Sequence, residues 1–183
     1  MNPILLYGSR YGSARRYAEE LGRQLAVTPL PFSQAPALSS YDTIVYLGSL
    51  YAGGVLGLAK TFRRVSLRPG QRLILVTVGL ANPAHGETRA HIRAGLKGQL
   101  SQDLLDQAKI FHLRGGIDYS QLSLAHRAMM GMLHQKLKRT APEALTEDDR
   151  ALLATYGKKV DFVDLRALAP VLAEVLKGGT SQK

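Results

Sequence analysis

Short apolar runs alternate along the chain with segments whose apolar residues recur at helical spacing. This alternation is typical of βαβ units, in which helices connect parallel strands. The runs are rich in branched side chains and are bounded by glycine, proline or polar residues, as strands usually are. They predict five strands, at Ile4–Tyr7, Val27–Phe32, Thr43–Leu47, Leu73–Val78 and Ile110–Leu113.

Helical spacing and capping residues predict six helices between and after these strands. The strand at Val27–Phe32 contains two prolines, which remove hydrogen-bond donors and place it at a sheet edge. The region after Gly95 and Gly98 is expected to be irregular. The predicted helices are Ser13–Leu25, Leu58–Val65, Glu87–Leu96, Leu122–Lys138, Glu147–Tyr156, and a last helix that begins near an Asp164 cap and ends before Gly178-Gly179.

The order of these elements predicts one domain that covers residues 1–183. Neither an internal repeat nor an interdomain linker interrupts the pattern. We therefore expect an α/β fold, with a five-stranded parallel sheet doubly wound into a three-layer αβα sandwich. In an open parallel sheet, ligands bind outside the carboxyl ends of the strands. Three loops should meet there, after the first, third and fourth strands.

The loop after the first strand has residues suited to a phosphate group. Hydroxyls, a turn glycine and a helix amino terminus supply free N–H donors and a positive dipole end. A Walker loop is excluded because its Gly-Lys-Ser/Thr ending is missing, and the Gly-x-Gly-x-x-Gly dinucleotide motif is incomplete. The alternative is an ordinary turn with Ser13 as the helix cap. The candidate cofactor-binding residues are Ser9, Arg10, Tyr11, Gly12, Ser13 and Ala14.

The other two loops could hold an aromatic ring system. Tyr51 offers a flat stacking partner, and the glycines near it allow close backbone approach. The alternatives are a flexible surface loop around Tyr51 and a simple turn at Asn82-Pro83. The candidate residues are Ser49, Leu50, Tyr51, Ala52 and Gly53 in one loop and Thr77, Val78, Gly79, Leu80 and Asn82 in the other.

Composition narrows the possible chemistry. The 183 residues include no cysteine, which excludes thiol catalysis and cysteine-ligated metal sites, and we expect no bound metal. No apolar run approaches the roughly 20 residues that a membrane span requires. We expect a cytoplasmic protein, at most peripheral to the inner face of a membrane.

The charge is strongly positive, at a net +10, and uneven along the chain. Residues 1–140 hold 18 Lys and Arg against 7 Asp and Glu, whereas residues 141–183 hold 6 against 7. Such a balance favours anionic lipid or phosphorylated and carboxylated small molecules. We expect no nucleic-acid partner, because no recognisable motif accompanies the charge.

Four segments resemble flavodoxin-like proteins, and in particular the menaquinone-dependent protoporphyrinogen dehydrogenase group. An arginine at the Arg10 position is also a feature of that group, whereas Tyr11 and Ala14 replace two hydroxyl residues of the flavodoxin phosphate loop. The similar segments are ILLYGSRYGSARRYAEEL, YDTIVYLGSLYAGGVLGLAKTF, LVTVGLANP and FHLRGGIDYSQLSLAHRAMMGMLHQKLKR, followed by the ending VDFVDLRALAPVLAEVL.

The resemblance implies bound FMN, an oxidoreductase activity, and a quinone or another small-molecule redox substrate as partner. Arg114, beside Gly115-Gly116, is a candidate for substrate binding. His85 and His112 are the nearest candidates for an acid or base, although such histidines are more often structural, so the catalytic residues stay unknown. Two alternatives are an electron carrier that serves protein partners and a flavodoxin-fold module that has lost its flavin.

The segment Leu122–Arg139 has two interpretations. Leu122, His126, Met129, Leu133 and Leu137 form one stripe at helical spacing, which favours a core-facing helix. The alternative is a basic, methionine-bearing element, within residues 114–139, that contacts a membrane surface or a hydrophobic substrate. The sequence favours the first interpretation and leaves the oligomeric state open.

Overall fold

The computed structural model describes residues 2–51 and 53–177. Within them, a central sheet has five parallel strands in the order β2-β1-β3-β5-β6, and β4 pairs antiparallel with β3. Leaving out β4, this is the flavodoxin-like 2-1-3-4-5 order. The strands are β1 Pro3–Gly8, β2 Leu30–Pro31, β3 Thr43–Tyr51, β4 Gly54–Val55, β5 Arg72–Gly79, β6 Lys109–Arg114, β7 Gly116–Asp118 and β8 Lys159–Asp161.

Helices cover both faces of this sheet, which confirms the predicted doubly wound α/β sandwich. Successive strand residues face opposite sides, so Ile44 and Tyr46 lie in one core and Val45 and Leu47 in the other. The first core is closed by α2, α3 and α4, and the second by α1 and α7. The helices are α1 Ser13–Leu25, α2 Leu58–Phe62, α3 Gly86–Lys97, α4 Gln102–Gln107, α5 Leu124–Lys138, α6 Glu147–Thr155 and α7 Ala169–Lys177.

The second strand is much shorter than predicted. Only Leu30–Pro31 pair with β1, and a short helical turn follows at Phe32–Gln34. Pro29 and Pro31 have no N–H to donate, so the extended segment cannot continue a ladder. Its predicted position at the sheet edge is confirmed.

The helices differ from prediction mainly at their ends. Helix α3 is one residue longer at each end, α5 begins at Leu124 rather than Leu122, and α6 ends at Thr155 rather than Tyr156. Helix α2 ends at Phe62 rather than Val65, and α4 occupies part of the region that was expected to be irregular. Asp164 caps a short helical turn at Leu165–Leu168 that leads into α7 at Ala169. The predicted stop at Gly178-Gly179 lies outside the described residues.

The chain between β6 and the turn before α7 forms a separate layer, which we call the lid (residues 115–163). It contains the antiparallel β7–β8 ladder and the helices α5 and α6. Ile117, Tyr119, Leu122 and Met130 form its own buried cluster. The sequence pattern predicted α5 and α6 but not the two strands, which are only three residues long each.

No helix among the described residues is long and apolar enough to cross a membrane.

Candidate functional site

The three predicted loops meet at one edge of the sheet. In the strand register, Gly8 lies beside Gly48, Gly48 beside Thr77, and Gly79 beside Arg114. A cavity of about 380 Å³ lies outside these strand ends. The predicted residues that line it are Tyr11, Ser13, Ser49, Leu50, Tyr51, Gly53, Val78, Gly79 and Leu80.

The turn after β1 leaves polar groups unpaired. Gly12 has a φ of 90°, and it precedes α1 without a side-chain cap on the first turn. The hydroxyl oxygen of Ser9 is buried and has no hydrogen-bond partner among the described residues. The Tyr11 hydroxyl is buried beside Arg10, and burial is the largest cause of its raised pKa. An unpaired hydroxyl beside free helical N–H groups forms an arrangement that suits an anion.

Two residues of this loop have roles other than those predicted. The Ser13 hydroxyl accepts a hydrogen bond from the Gly116 N–H at 2.9 Å, so Ser13 joins α1 to the lid and does not cap the helix. The Ala14 side chain is fully buried in the core. At both positions the side chain is engaged elsewhere, so only the backbone N–H can face a phosphate.

The Arg10 side chain contacts His126, which belongs to the lid. Its guanidinium Nη2 lies 3.1 Å from His126 Nδ1, and its Cζ lies 5.4 Å from the centre of the Tyr51 ring. The His126 ring also contacts the edges of Tyr11 and Tyr51, at 6.4 and 5.8 Å between ring centres. Arg10 therefore joins the first two loops to α5.

The loop after β3 is held by hydrogen bonds to its backbone. Tyr46 Oη donates to the Leu56 carbonyl at 2.6 Å, and the Gln99 side chain bonds the N–H and carbonyl of Val55. These bonds fix the short β3–β4 hairpin that carries Tyr51. The candidate Ala52 lies outside the described residues.

The loop after β5 contributes its backbone close to β3. A Cβ at Gly79 would lie 2.6 Å from Leu50 Cδ1, so any larger residue here would require the Leu50 side chain to move. Thr77 does not line the cavity, because its hydroxyl bonds His112 Nδ1 at 2.7 Å. The Asn82 side chain accepts a bond from the Ala84 N–H at 3.0 Å, as in a simple turn, and also does not line it.

The weaker catalytic and substrate candidates lie away from the cavity lining. His85 is exposed before α3, and burial lowers the pKa of His112. Arg114 donates to the Leu80 carbonyl at 3.0 Å and lies over the Phe162 ring at 3.8 Å. The Arg114 side chain thus supports the loop after β5 and does not reach toward a substrate.

The lid forms the apolar roof of the cavity. Met129, Met130 and Leu133 on α5 and Leu152 on α6 line it, together with Ile117. Of the predicted stripe, Leu122 and Leu137 are buried, and His126, Met129 and Leu133 are partly buried, so the stripe faces the interior as expected. Met130, which was not part of the predicted stripe, is buried as well. Periodicity identified this stripe, but periodicity alone does not indicate which surface a helix covers.

One polar pair lies in the cavity wall where the lid meets α3. Asp148 Oδ2 is 3.7 Å from His91 Nδ1. Burial raises the pKa of Asp148 above its ordinary value, and the nearby His91 opposes this shift. The Asp148 carboxyl therefore keeps its proton to a higher pH than an exposed aspartate does.

The lining residues from α3 and the lid were not predicted from the sequence. Ile92 and Leu96 belong to the apolar stripe of a predicted helix, which is the one signal that could have identified them. The unpredicted lining residues are Gly54, Val55, Ala81, His91, Ile92, Gly95, Leu96, Gly115, Gly116, Ile117, Met129, Met130, Leu133, Asp148, Asp149 and Leu152.

Comparisons with known proteins identify similar families and structures. The model of a family described as a flavodoxin domain matches residues 4–142. A putative flavoprotein from Bacteroides eggerthii DSM 20697 is 14% identical, with 72% of this chain and 96% of that chain covered and a TM-score of 0.44.

Two further solved structures are similar at comparable levels. A mutant of flavodoxin from Pseudomonas aeruginosa is 18% identical, with 74% of this chain and 96% of that chain covered and a TM-score of 0.43. A flavoprotein in complex with FMN from Lactobacillus acidophilus NCFM is 10% identical, with 62% and 91% covered and a TM-score of 0.40. No curated protein matches the chain.

Proposed function

The chain belongs to the flavodoxin domain family, and from this premise we propose that it binds FMN noncovalently at the carboxyl ends of β1, β3 and β5. The first turn of α1 and the unpaired Ser9 hydroxyl would hold the phosphate. Tyr51 and the backbone around Gly79 would hold the ring. The buried, unpartnered oxygen of Ser9 supports this fit, because a buried polar group without a partner is costly.

We further propose that the chain is an oxidoreductase. The single observation that carries this is the apolar roof that the lid places over the cavity. FMN, when bound, supplies hydride or single-electron transfer. Met129, Met130 and Leu133 would exclude water and bind an apolar molecule beside the ring. An electron carrier for protein partners does not require a cavity that is covered in this way.

The proposed electron acceptor is a quinone, and protoporphyrinogen is the donor that the resemblance favours. Both are large apolar molecules, and the net charge of +10 would attract the carboxylates of a tetrapyrrole. Asp148 and His91 in the wall are the polar groups nearest to such a substrate. They could accept or donate a hydrogen bond there.

The outer face of α5 supports a peripheral contact with an anionic membrane. Leu124 and Met132 are 82% and 70% exposed, and the basic residues Arg127, Lys136 and Lys138 are exposed on the same helix. Apolar tips between cations are typical of helices that lie on lipid surfaces. Cosedimentation with vesicles that contain phosphatidylglycerol, and its loss in a Leu124→Gln/Met132→Gln variant, tests this contact.

Single-turnover oxidation tests the proposed enzyme. The FMN-loaded protein is reduced with dithionite and mixed with increasing menadione, and the flavin absorbance is followed. We expect the oxidation rate to saturate, because menadione binds in the cavity first. Replacing Leu133 by Trp narrows the cavity and should raise the half-saturating concentration at least fivefold, whereas Leu176→Ala, on α7 and 49% exposed, should not change it.

Two results would contradict parts of the proposal. A rate that rises linearly with menadione and ignores Leu133→Trp indicates the carrier alternative. A colourless protein that cannot be reconstituted with FMN indicates a module that has lost its flavin. Leu133→Ala, which enlarges the cavity, serves as a second variant if Leu133→Trp disturbs folding.

A further inference from the structure

Asp148 carries a carboxyl group in the apolar roof that the lid places over the cavity. It lies in the first turn of α6, and it lines the cavity together with Met129, Leu133 and Leu152. Among the described lining residues, the one other carboxyl group is that of Asp149. A carboxyl group is costly to bury in its charged form, so apolar packing does not explain the position of Asp148.

The other acids of the same helical turn have structural roles. Asp149 Oδ2 accepts hydrogen bonds from the N–H and the hydroxyl of Thr146, at 3.0 and 2.7 Å, and so completes the cap of α6. Glu147 forms an ion pair within α6 and does not line the cavity. Asp148 instead lies beside His91 on α3, with 3.7 Å between Oδ2 and Nδ1. Of the two carboxyl groups at the cavity, that of Asp148 can therefore act on a bound molecule without breaking the helix cap.

His91 connects this carboxyl group to solvent. His91 is exposed and also lines the cavity, whereas Asp148 is partly buried. Burial is the largest cause of the raised pKa of Asp148; of the charged groups that face it, His91 lowers this pKa, and Asp149, Glu147 and Glu87 raise it. The described lining residues of α5 are all apolar. Asp148 thus keeps its proton to a higher pH than an exposed aspartate does, beside an imidazole that water can reach.

We propose that Asp148 donates a proton to the substrate of the oxidoreductase, and that His91 is a positioning residue that orients the carboxyl group and returns a proton to it from solvent. This inference rests on the proposed function, since it takes the cavity as the place where a quinone is reduced. The observation that carries it is the location of Asp148, in the cavity wall and beside an exposed imidazole. A positioned acid typically speeds such a step by about 10²- to 10⁴-fold.

The proposed step balances in electrons and protons. Reduction of a quinone to its hydroquinone takes up two electrons and two protons. Both electrons and one of the protons come as a hydride from the reduced flavin. The second proton comes from Asp148: its O–H bond breaks, a new O–H bond forms on the hydroquinone, and Asp148 is left as a carboxylate. A proton from water, passed by way of His91, restores the acid.

The pH dependence of single-turnover oxidation tests the role of Asp148. The reduced, FMN-loaded protein is mixed with saturating menadione between about pH 5 and about pH 9, and we expect the rate to fall as the pH rises, because the acid form of Asp148 is lost. Asp148→Asn should lower the rate at the acid end at least about tenfold and remove this fall. Glu147→Gln removes a neighbouring first-turn acid that does not line the cavity, and it should keep both the rate and its fall.

An NMR titration gives a measurement that does not depend on catalysis. In flavin-free protein whose aspartate carboxyl carbons are isotopically labelled, the signal that is missing from Asp148→Asn belongs to Asp148. We expect this signal to report a pKa above the ordinary 3.8, because burial raises it. His91→Gln removes the imidazole that lowers this pKa, so it should move both the Asp148 titration and the fall of the oxidation rate to higher pH.

Three outcomes would overturn the proposed proton donor. These are a rate and pH profile of Asp148→Asn that match those of the unaltered chain, an equal loss in Glu147→Gln, or an Asp148 signal that reports a pKa at or below 3.8. If Asp148→Asn does not fold, Asp148→Ser takes its place, and FMN affinity is titrated for each variant. Oxidation that saturates with menadione but does not depend on Asp148 refutes the proton donor alone, whereas a protein that does not bind FMN refutes the proposed function as well.

Discussion

Gly12 holds the turn before α1 in a left-handed conformation, with a φ of 90°. A Cβ at this position would have no atom within 4 Å. Its replacement by alanine therefore strains the backbone without a steric clash, at a cost of about 1 kcal/mol. Because Gly12 orients the first N–H groups of α1, we expect Gly12→Ala to lower both the free energy of unfolding and the affinity for FMN. Urea denaturation and a flavin fluorescence titration measure the two effects.

Gly157 provides a matched control for this prediction. It has a φ of 73°, and a Cβ there would also have no atom within 4 Å. Gly157 lies in the lid, between α6 and β8. Gly157→Ala should cost a similar free energy of unfolding and leave FMN affinity unchanged. Equal losses of FMN affinity in both variants would show that the phosphate is not held at α1.

At the scale of elements, α7 is joined to the sheet by Arg72. Its guanidinium bonds the Glu174 carboxylate at 2.6 Å and the Glu174 and Val175 carbonyls at 2.7 and 3.3 Å. These bonds satisfy carbonyl groups near the end of the helix, which otherwise have no partner in the chain. Arg72 thus stabilises both the ion pair and the helix end.

This clamp predicts a dependence of stability on pH. Lys177 and, to a smaller extent, Arg72 hold the pKa of Glu174 below its ordinary 4.5. A lowered folded-state pKa gives stability that is present above pH 4.5 and is lost as the pH falls through the folded-state value. We expect Glu174→Gln to cost about 1 kcal/mol at pH 7 and less at pH 3. Urea unfolding at both pH values measures this.

Two further variants separate the contribution of the Arg72–Glu174 ion pair to stability from that of the neighbouring hydrogen bonds and from that of an exposed ion pair. Arg72→Met should cost more than Glu174→Gln at pH 7, about 2 kcal/mol, because it also leaves two carbonyls unpaired. Glu19→Gln breaks the exposed Arg15–Glu19 pair and should change stability by less than about 0.5 kcal/mol. If Glu174→Gln costs as much at pH 3 as at pH 7, the carboxylate is not the stabilising group.

For the whole molecule, ligand binding and folding are linked. A ligand that binds only the folded chain stabilises it by about 2.7 kcal/mol at 100 times its dissociation constant. We expect FMN to raise the melting temperature more than an equal concentration of riboflavin, which lacks the phosphate. Differential scanning calorimetry measures both shifts.

Adenosine monophosphate is the control for this prediction, since it has a phosphate but no flavin ring. It should stabilise the protein less than FMN does. Equal shifts with FMN and riboflavin would mean that the turn after β1 makes no phosphate contact. Equal shifts with FMN and adenosine monophosphate would mean that Tyr51 and the loop after β5 make no specific ring contact.

Local patterns in the sequence were enough to determine the layered fold. The strands β1, β3, β5 and β6 are apolar runs such as Leu73–Val78, and each main helix has a stripe at helical spacing, so burial on one or both faces could be deduced from neighbouring residues. The three loops at the carboxyl ends could be deduced as well, because parallel strands bring these ends to one edge. Hence nine of the predicted loop residues line the cavity.

Only the tertiary structure decided what surrounds those loops. Ser13 bonds Gly116, and Arg10 meets His126, over sequence separations of more than 100 residues. The lid folds back over the cavity through such contacts, and no local pattern encodes the direction of that return. The sequence by itself therefore determined the sheet, its main helices and the place of the cofactor loops, whereas the roof of the cavity depends on long-range packing.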